Sequence, residues 1–500
     1  MNSIERRRMD GNVDINEKEL IPSASVLVES LRAFGYELET AIADLIDNSI
    51  TAGAKNICVD FDWDGDKSSI RLQDDGIGMD EEILFNAMRL GSISPLATRS
   101  SSDLGRFGLG LKTASFSQCR CLTVKTKKKN TQFVIWTWDL DYVEKTNKWV
   151  IIKGCPDYIK KGVENISLKE QGTVVVWTNL DKLTSGTQTD NIEDHKHFLA
   201  RIDKTSKYIG MVFHEFIENG ICIMVNGNPI KPWDPFLSKH EATQKLAEET
   251  ISEGVNVIPY VLPHISKMSQ PEHKAAAGIR GWSEHQGFYI YRNNRLLVAG
   301  DWLGFFIKEH HCELARIRID IKNDLDKEWG IDVKKSKASP PDDLKSILKN
   351  IADRTRKRAL EVYRFRGAKL TPAGSQGIIF LWEQEKRHGK IRYTINRDHP
   401  VIKQALNSVT DRGKFTRMLR LIEESIPVPL IKIANAEAPE SEAAPFDNAQ
   451  MREKLAIAED IYECLKTSGL DHDEIIIKMS MIDYFNKFPE LIQMIKDRYS

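Results

Sequence analysis

The chain has almost no net charge: 71 lysines and arginines face 72 aspartates and glutamates, which leaves −1 over 500 residues. A chain so balanced is not, as a whole, a basic nucleic-acid binder, and only local basic patches stay open to it. No apolar run approaches the ~20 residues of a membrane-spanning helix, so no membrane contact is expected. The opening stretch MNSIERRRMDGNVDINEKEL is polar throughout, and no secretory leader is expected. The seven cysteines are scattered, which suits a reducing, cytoplasmic setting with free thiols. Cys119 and Cys121 are too close for a structural zinc pair and should alternate across a strand. The run Glu309-His310-His311-Cys312-Glu313 contains metal-ligand types. Adjacent histidines do not share a face, however, and it reads as a helix-to-strand junction.

What is present begins with residues 41–54, AIADLIDNSITAGA. Ala41, Ile42, Leu45 and Ile46 recur at helical spacing, so one face packs inward. Asp44 and Asn48 are four apart and stand one above the other. Two later stretches give that pair a context. Asp74-Asp75-Gly76-Ile77-Gly78-Met79 follows a predicted strand over 70–73, and Gly105-Arg106-Phe107-Gly108-Leu109-Gly110 opens a predicted helix. The second is not a dinucleotide fingerprint, because no strand runs directly into it. Residues 91–104, GSISPLATRSSSDL, are small, polar and unperiodic and read as a lid containing Arg99. Other predicted elements are helices over 26–34, capped by Ser23 or Ser25, and from Thr40 to Gly53.

Taken in this order, with Gly172-Thr173 opening the strand GTVVVWTNL, these motifs resemble the ATP-binding domain of the GHKL superfamily. That superfamily includes gyrase B, MutL, the ninety-kilodalton heat-shock chaperone, histidine kinases and MORC proteins; MORC-like and MutL-like ATPases are most similar. No phosphoacceptor-histidine helix precedes the motif, which excludes the kinase reading. The resemblance implies an α+β fold: a GHKL (Bergerat) α/β sandwich, a transducer-like (ribosomal S5-like) α/β domain, and a mainly helical C-terminal region. It implies ATP and Mg²⁺. Asp74 accepts from the adenine amine, with Gly76 and Gly78 giving positive φ and close approach. Met79 lies on the ring, and Thr173 reaches the same edge through a water. Asn48 is the Mg²⁺ ligand. Gly105, Gly108 and Gly110 meet the phosphates at a helix N-terminus. Lys112 is either a further phosphate contact or a solvated helix lysine. Hydrolytic members carry glutamate where this chain has Asp44, one methylene shorter. Asp44 then either acts as a base with slow turnover or leaves the site as a clamp. Asp47 should point elsewhere and support structure. Lys337, with Lys335 as alternative, matches the transducer lysine that senses the γ-phosphate.

The expected layout is an arm (1–20), the ATP-binding domain (21–185), the transducer-like domain (186–345), a basic helix with hairpin and further helices (346–434), a linker (435–449) and a helical module (450–500). A basic helix over 342–363, with Arg354, Arg356 and Arg358 among a cluster reaching residue 366, is the DNA candidate. Its alternative is a helix packed on the transducer. The hairpin tip Lys127-Lys128-Lys129 either touches nucleic acid or serves solubility. The functional expectation is an ATP-gated homodimeric clamp on DNA, in anti-phage defence or repair, with a nuclease or helicase partner. The alternative is a chaperone-like ATPase that acts on proteins.

Overall fold

The computed structural model describes residues 22–33, 35–91, 110–157, 170–331, 338–364, 381–387, 390–427 and most of 449–499, with isolated positions between. The chain divides into two compact units. One is built on residues up to 262, 271–307 and 315–356, and the other on 263–270, 308–314 and 357–500.

The first unit opens with two helices, α1 (Ala24–Arg32) and α2 (Leu38–Thr51). α1 lies two residues upstream of the expected span. Ser23 stands at its N-cap, but its hydroxyl donates to Asn147 Oδ1 at 2.9 Å rather than capping the helix. Thr40 does not cap α2 either. The helix begins after Glu37, and the Thr40 hydroxyl donates to the Glu37 carbonyl at 2.9 Å. Gly53, at φ +76°, closes α2 as expected.

There follow β1 (Asn56–Asp62), β2 (Ser69–Asp74), α3 (Glu81–Met88), α4 (Gly110–Gln118), β3 (Cys121–Lys127), β4 (Val134–Asp139), α5 (Leu140–Thr146), β5 (Ile152–Lys153) and β6 (Gly172–Thr178). β6 is apolar on both faces, as a central strand must be. Val175 and Trp177 enter the core shared with the helices, and Val174 and Val176 join Ile135 and Val163 in a smaller cluster opposite.

The sheet continues past residues 184–190. Asn191 caps α6 (Ile192–Val212) by accepting from the Glu193 and Asp194 amides. β7 (Cys222–Val225) then pairs parallel with β1, and β8 (Asn228–Pro229) pairs with β7. Without β7, the β1 edge would present unpaired backbone groups. The eight strands run β5-β4-β3-β6-β2-β1-β7-β8.

A second sheet contains β9 (Gln244–Lys245), β10 (Glu249–Ser252), β11 (Val255–Val261), β12 (Gly287–Arg292), β13 (Arg295–Asp301) and β14 (Ala315–Ile321). Its order is β10-β11-β14-β12-β13, with β9 on β11. Asn293 and Asn294, both at positive φ, make the two-residue turn that fixes where β13 starts. Tyr289, Tyr291 and Leu296 of this sheet belong to the same apolar core as Ala41, Ile42 and Leu45 of α2. The first residues of β13 are thereby carried to the motif helix. α7 (Asp342–Arg364) follows.

The second unit holds the hairpin β15 (Trp382–Arg387) and β16 (Lys390–Ile395), then α8 (Pro400–Ser408), α9 (Arg412–Glu424), α10 (Met451–Lys466), α11 (His472–Ser480) and α12 (Glu490–Tyr499). The last three helices close a core of their own around Ile461, Leu465, Ile475, Met479, Leu491 and Ile495. Among the described residues no helix is long and apolar enough to cross a membrane.

Candidate active site

β2 delivers Asp74 into the interior, where only 6% of its surface is exposed. The Ser49 hydroxyl donates to Oδ2 at 2.9 Å, and the Gly76 amide donates to Oδ1 at 2.9 Å. Burial pushes this carboxyl above the usual carboxylate range, while hydrogen bonds from Gly76, Ser49 and the Thr173 backbone pull it back. Three donors leave one of the carboxylate's four lone-pair directions, so the group can still accept from a ligand amine.

The two motif glycines do different work. Gly78 sits at φ +65°, and a Cβ there would lie 2.0 Å from the Lys127 carbonyl oxygen. Gly76 does not have the expected positive φ. It is needed for space, since a Cβ would come 2.9 Å from the Ala52 methyl and 3.0 Å from Asp74 Oδ1.

Thr173 pairs directly with Asp74 across β6 and β2. Its hydroxyl lies 3.0 Å from that of Thr126, which also accepts from the Met79 amide at 2.9 Å. Met79 is thereby tied into this corner. Ser49 and Thr126 were missed by sequence reasoning. Ser49 carries a signal, because it follows Asn48 on the motif helix. Thr126 carries none until the β3–β6 register sets it opposite Thr173.

Along α2, Asn48 is exposed while residues 41–47 and Ser49 are buried. Its carboxamide is therefore the group that this part of the helix offers outward. Asp44, one turn earlier and 3% exposed, accepts from the Tyr36 hydroxyl at 2.9 Å. Gly110 opens α4 beside it, and a Cβ on Gly110 would lie 3.7 Å from Asp44 Oδ2. Asp44 thus borders the start of α4, where a helix N-terminus favours anions. Gly105, Gly108, Arg99, Lys335 and Lys337 lie outside the described residues.

The Lys112 ammonium is buried and donates to the carbonyls of Ala87 at 2.8 Å and Arg89 at 2.9 Å. It is neither solvated nor aimed outward; it holds the C-terminal end of α3 against α4. Desolvation lowers it to about 8.

Asp47 is fully buried and meets Arg295 of β13, with Nε 3.3 Å from Oδ1. The guanidinium also donates to the Leu296 carbonyl at 2.6 Å, lies 5.3 Å from the Phe213 ring centroid, and is within electrostatic reach of Tyr208 of α6. This cation on the motif helix was not visible in the sequence.

The basic candidates have partners within the chain. Arg354 pairs with Glu249 at 2.7 Å and Arg358 with Glu361 at 2.7 Å. Arg356 lies 4.1 Å from the Phe306 ring centroid and 5.6 Å from that of Trp302. At the hairpin tip, Lys128 pairs with Asp80 and Lys129 with Glu170. Adjacent histidines diverge as expected, His310 to Glu313 and His311 to Glu309. The side-chain ligand atoms of Glu309, His311 and Cys312 nevertheless lie within 4.8 Å of one another.

A domain model described as histidine kinase-, DNA gyrase B- and HSP90-like ATPase matches residues 36–173, a span that begins at Tyr36 and ends at Thr173. The chain is 36% identical over 89 residues to the ATPase morc-1 of Caenorhabditis elegans, covering 18% of this chain and 10% of that protein. It is 34% identical over 94 residues to the ATPase MORC2B of Mus musculus, covering 18% and 9%. It is 28% identical over 223 residues to the chaperone protein HtpG of Rickettsia canadensis (strain McKiel), covering 42% and 30%. The chain thus spans less than a third of each of these relatives. The ATPase region of Saccharomyces cerevisiae topoisomerase II aligns at TM-score 0.36 and 13% identity, over 65% of this chain and 86% of that one. Residues 36–173, a span that includes Asp44, Asn48 and Asp74, are an ATPase domain of the histidine kinase-, DNA gyrase B- and HSP90-like type, the GHKL superfamily.

Proposed function

We propose that this chain binds ATP with Mg²⁺ and hydrolyses it slowly, using the nucleotide to switch between an open state and a pair of chains. The observation that carries the reading is the buried Asp74 carboxylate, fixed by Ser49 and the Gly76 amide beside Thr173. An acceptor so placed selects a purine that presents an amine. Asn48 would hold Mg²⁺ through its carbonyl oxygen, and the ion would neutralise phosphate charge. Asp44, oriented by Tyr36, takes the proton from the attacking water. The shorter side chain sets its carboxylate back from the position a glutamate would reach, and slow turnover follows.

Substituting Asp44→Asn should lower the hydrolysis rate by about 10²- to 10⁴-fold while ATP-analogue affinity stays unchanged. Undiminished turnover in that variant would remove Asp44 from the chemistry. Light scattering with and without a non-hydrolysable analogue tests pairing: a doubled mass with analogue is expected, and an unchanged mass contradicts the switch.

For the partner, DNA is proposed along α7, whose exposed Arg354 and Arg358 pairs are weak enough to exchange for phosphate. A salt-dependent DNA affinity that disappears on reversing both charges is the expected result. The second reading, a chaperone-like ATPase acting on proteins, is favoured by the same arginines having partners already. Binding that is insensitive to reversal supports it.

A further inference from the structure

The motif helix carries three buried carboxylates: Glu39, near its start, pairs with Lys204 at 2.5 Å, and Asp44 and Asp47 lie three residues apart on adjoining faces. Among the described residues, the cationic side chain paired with Asp47 is Arg295. Arg295 is the first residue of β13, in the second sheet, and is 248 residues from Asp47. Its side chain is 2% exposed, and Asp47 is not exposed at all. Tyr208, from α6, lies within electrostatic reach of the guanidinium and of both carboxylates, and Asp44 also contributes to holding the guanidinium charged. On its other side Asp44 accepts from Tyr36. The result is a buried polar cluster, Tyr36, Asp44, Asp47 and Arg295, with the half-buried Tyr208 at its edge. It is made by three segments: the entry to α2, the long helix after the ATPase domain, and the second sheet.

Such a cluster is expensive to bury unless it holds something in place. An ion pair taken out of water roughly breaks even against apolar packing, so stability alone is a weak reason for it. Its geometry supplies a better one. Asp47 is the residue before Asn48, and Asp44 lies one turn before Asn48. A guanidinium fixed on Asp47 sets the rotation of that turn, and hence the direction of both side chains. It also places a positive charge within electrostatic reach of Asp44. The turn at Asn293–Asn294 fixes where this cation emerges from the second sheet.

We propose that Arg295 is a positioning residue for ATP hydrolysis: by clamping Asp47 and, with Tyr208, setting the charge around Asp44, it makes turnover in residues 36–173 depend on the second sheet. This rests on Asp44 being the base proposed above. Recognition of the purine is carried by Asp74, which the Ser49 hydroxyl and the Gly76 amide hold beside Thr173, so the arginine acts chiefly on turnover.

The test uses the full chain and reads kcat, KM, analogue affinity and the pH profile. Arg295→Gln should keep analogue affinity within about threefold and lower kcat by about 30- to 100-fold, the cost of a reacting group displaced by roughly an ångström. The acid limb of kcat should move to higher pH, because Asp44 loses a nearby cation while Asp47 remains. Arg295→Lys keeps the charge without the fork, so its acid limb should stay near that of the unaltered protein. Tyr208→Phe removes one hydroxyl and keeps the packing; its kcat should fall by about fivefold with KM unchanged. If Arg295→Gln fails to fold, Tyr208→Phe decides. Wild-type kcat with an unmoved acid limb in a folded Arg295→Gln, or wild-type kcat in Tyr208→Phe, overturns the proposal. Asp44→Asn, run alongside, separates the two levels. If it still hydrolyses ATP, the assignment of the base fails, whatever Arg295 does.

Discussion

Two helices of this chain carry conspicuous charge, and the structure uses them in opposite ways. α2 is mostly apolar, and its acids are few; Asp44 and Asp47 are buried, each with specific partners. α7 is densely charged, and its arginines lie at the surface or against neighbouring side chains. The Arg354–Glu249 pair, for example, has side chains 63% and 36% exposed. A few charges on an apolar helix mark a site because burying each one costs free energy that only a partner can offset. Many charges on a polar helix mark little, since solvated ion pairs contribute small amounts wherever they fall.

Breaking α2 should therefore cost far more than breaking α7. Asp47→Leu leaves Arg295 buried without its carboxylate and should reduce stability by about 3–5 kcal/mol, read as the urea midpoint. A loss as small as that of a surface pair would put α2 and α7 in the same class. Lys112 is an intermediate case, a buried cation held by two carbonyls. Its ammonium is lowered to about 8, so between about pH 8 and its unfolded value near 10.5 the unfolded chain binds the extra proton. Stability contributed by this position should then rise with pH across that window by up to about 3 kcal/mol, and Lys112→Met should lack the rise. Equal pH dependence in both proteins contradicts the burial. On α7, Arg356→Ala should cost about 1–2 kcal/mol through the lost ring contacts with Phe306 and Trp302. Arg354→Ala and Arg358→Ala should each change stability by less than about 0.5 kcal/mol. A larger effect at the exposed pairs than at Arg356 would reverse that order.

How much of this was legible follows the same division. Asp44, Asn48, Asp74 and Gly78 could be read from the sequence because local rules govern them: helical spacing, a strand end, a turn that only glycine fits. The strands flanking Asp74 could be read from alternation. Element starts were less legible. Thr40 looked like a cap, but the helix gained its first turn from Glu37, and α6 began at Asn191 because that side chain satisfies two amides. Contacts between distant segments were not legible at all. Arg295 on Asp47, Thr126 beside Thr173 and β7 beside β1 depend on registers that no local pattern encodes. Lys112 shows the same limit. Its place in the first turn of α4 suggested an outward charge, and only the packing of α3 shows where the ammonium goes.

The account depends most on Asp74 reading a purine amine. Equilibrium binding of ATP and of GTP, by calorimetry, to the unaltered protein and to Asp74→Asn tests this directly. ATP should bind at least about 100-fold more tightly than GTP, whose corresponding ring position carries an acceptor facing the carboxylate. Asp74→Asn should weaken ATP by about 10- to 100-fold and narrow that preference. Equal affinity for the two nucleotides, or an Asp74→Asn variant that binds ATP as well as the unaltered chain, would contradict the assignment of this pocket.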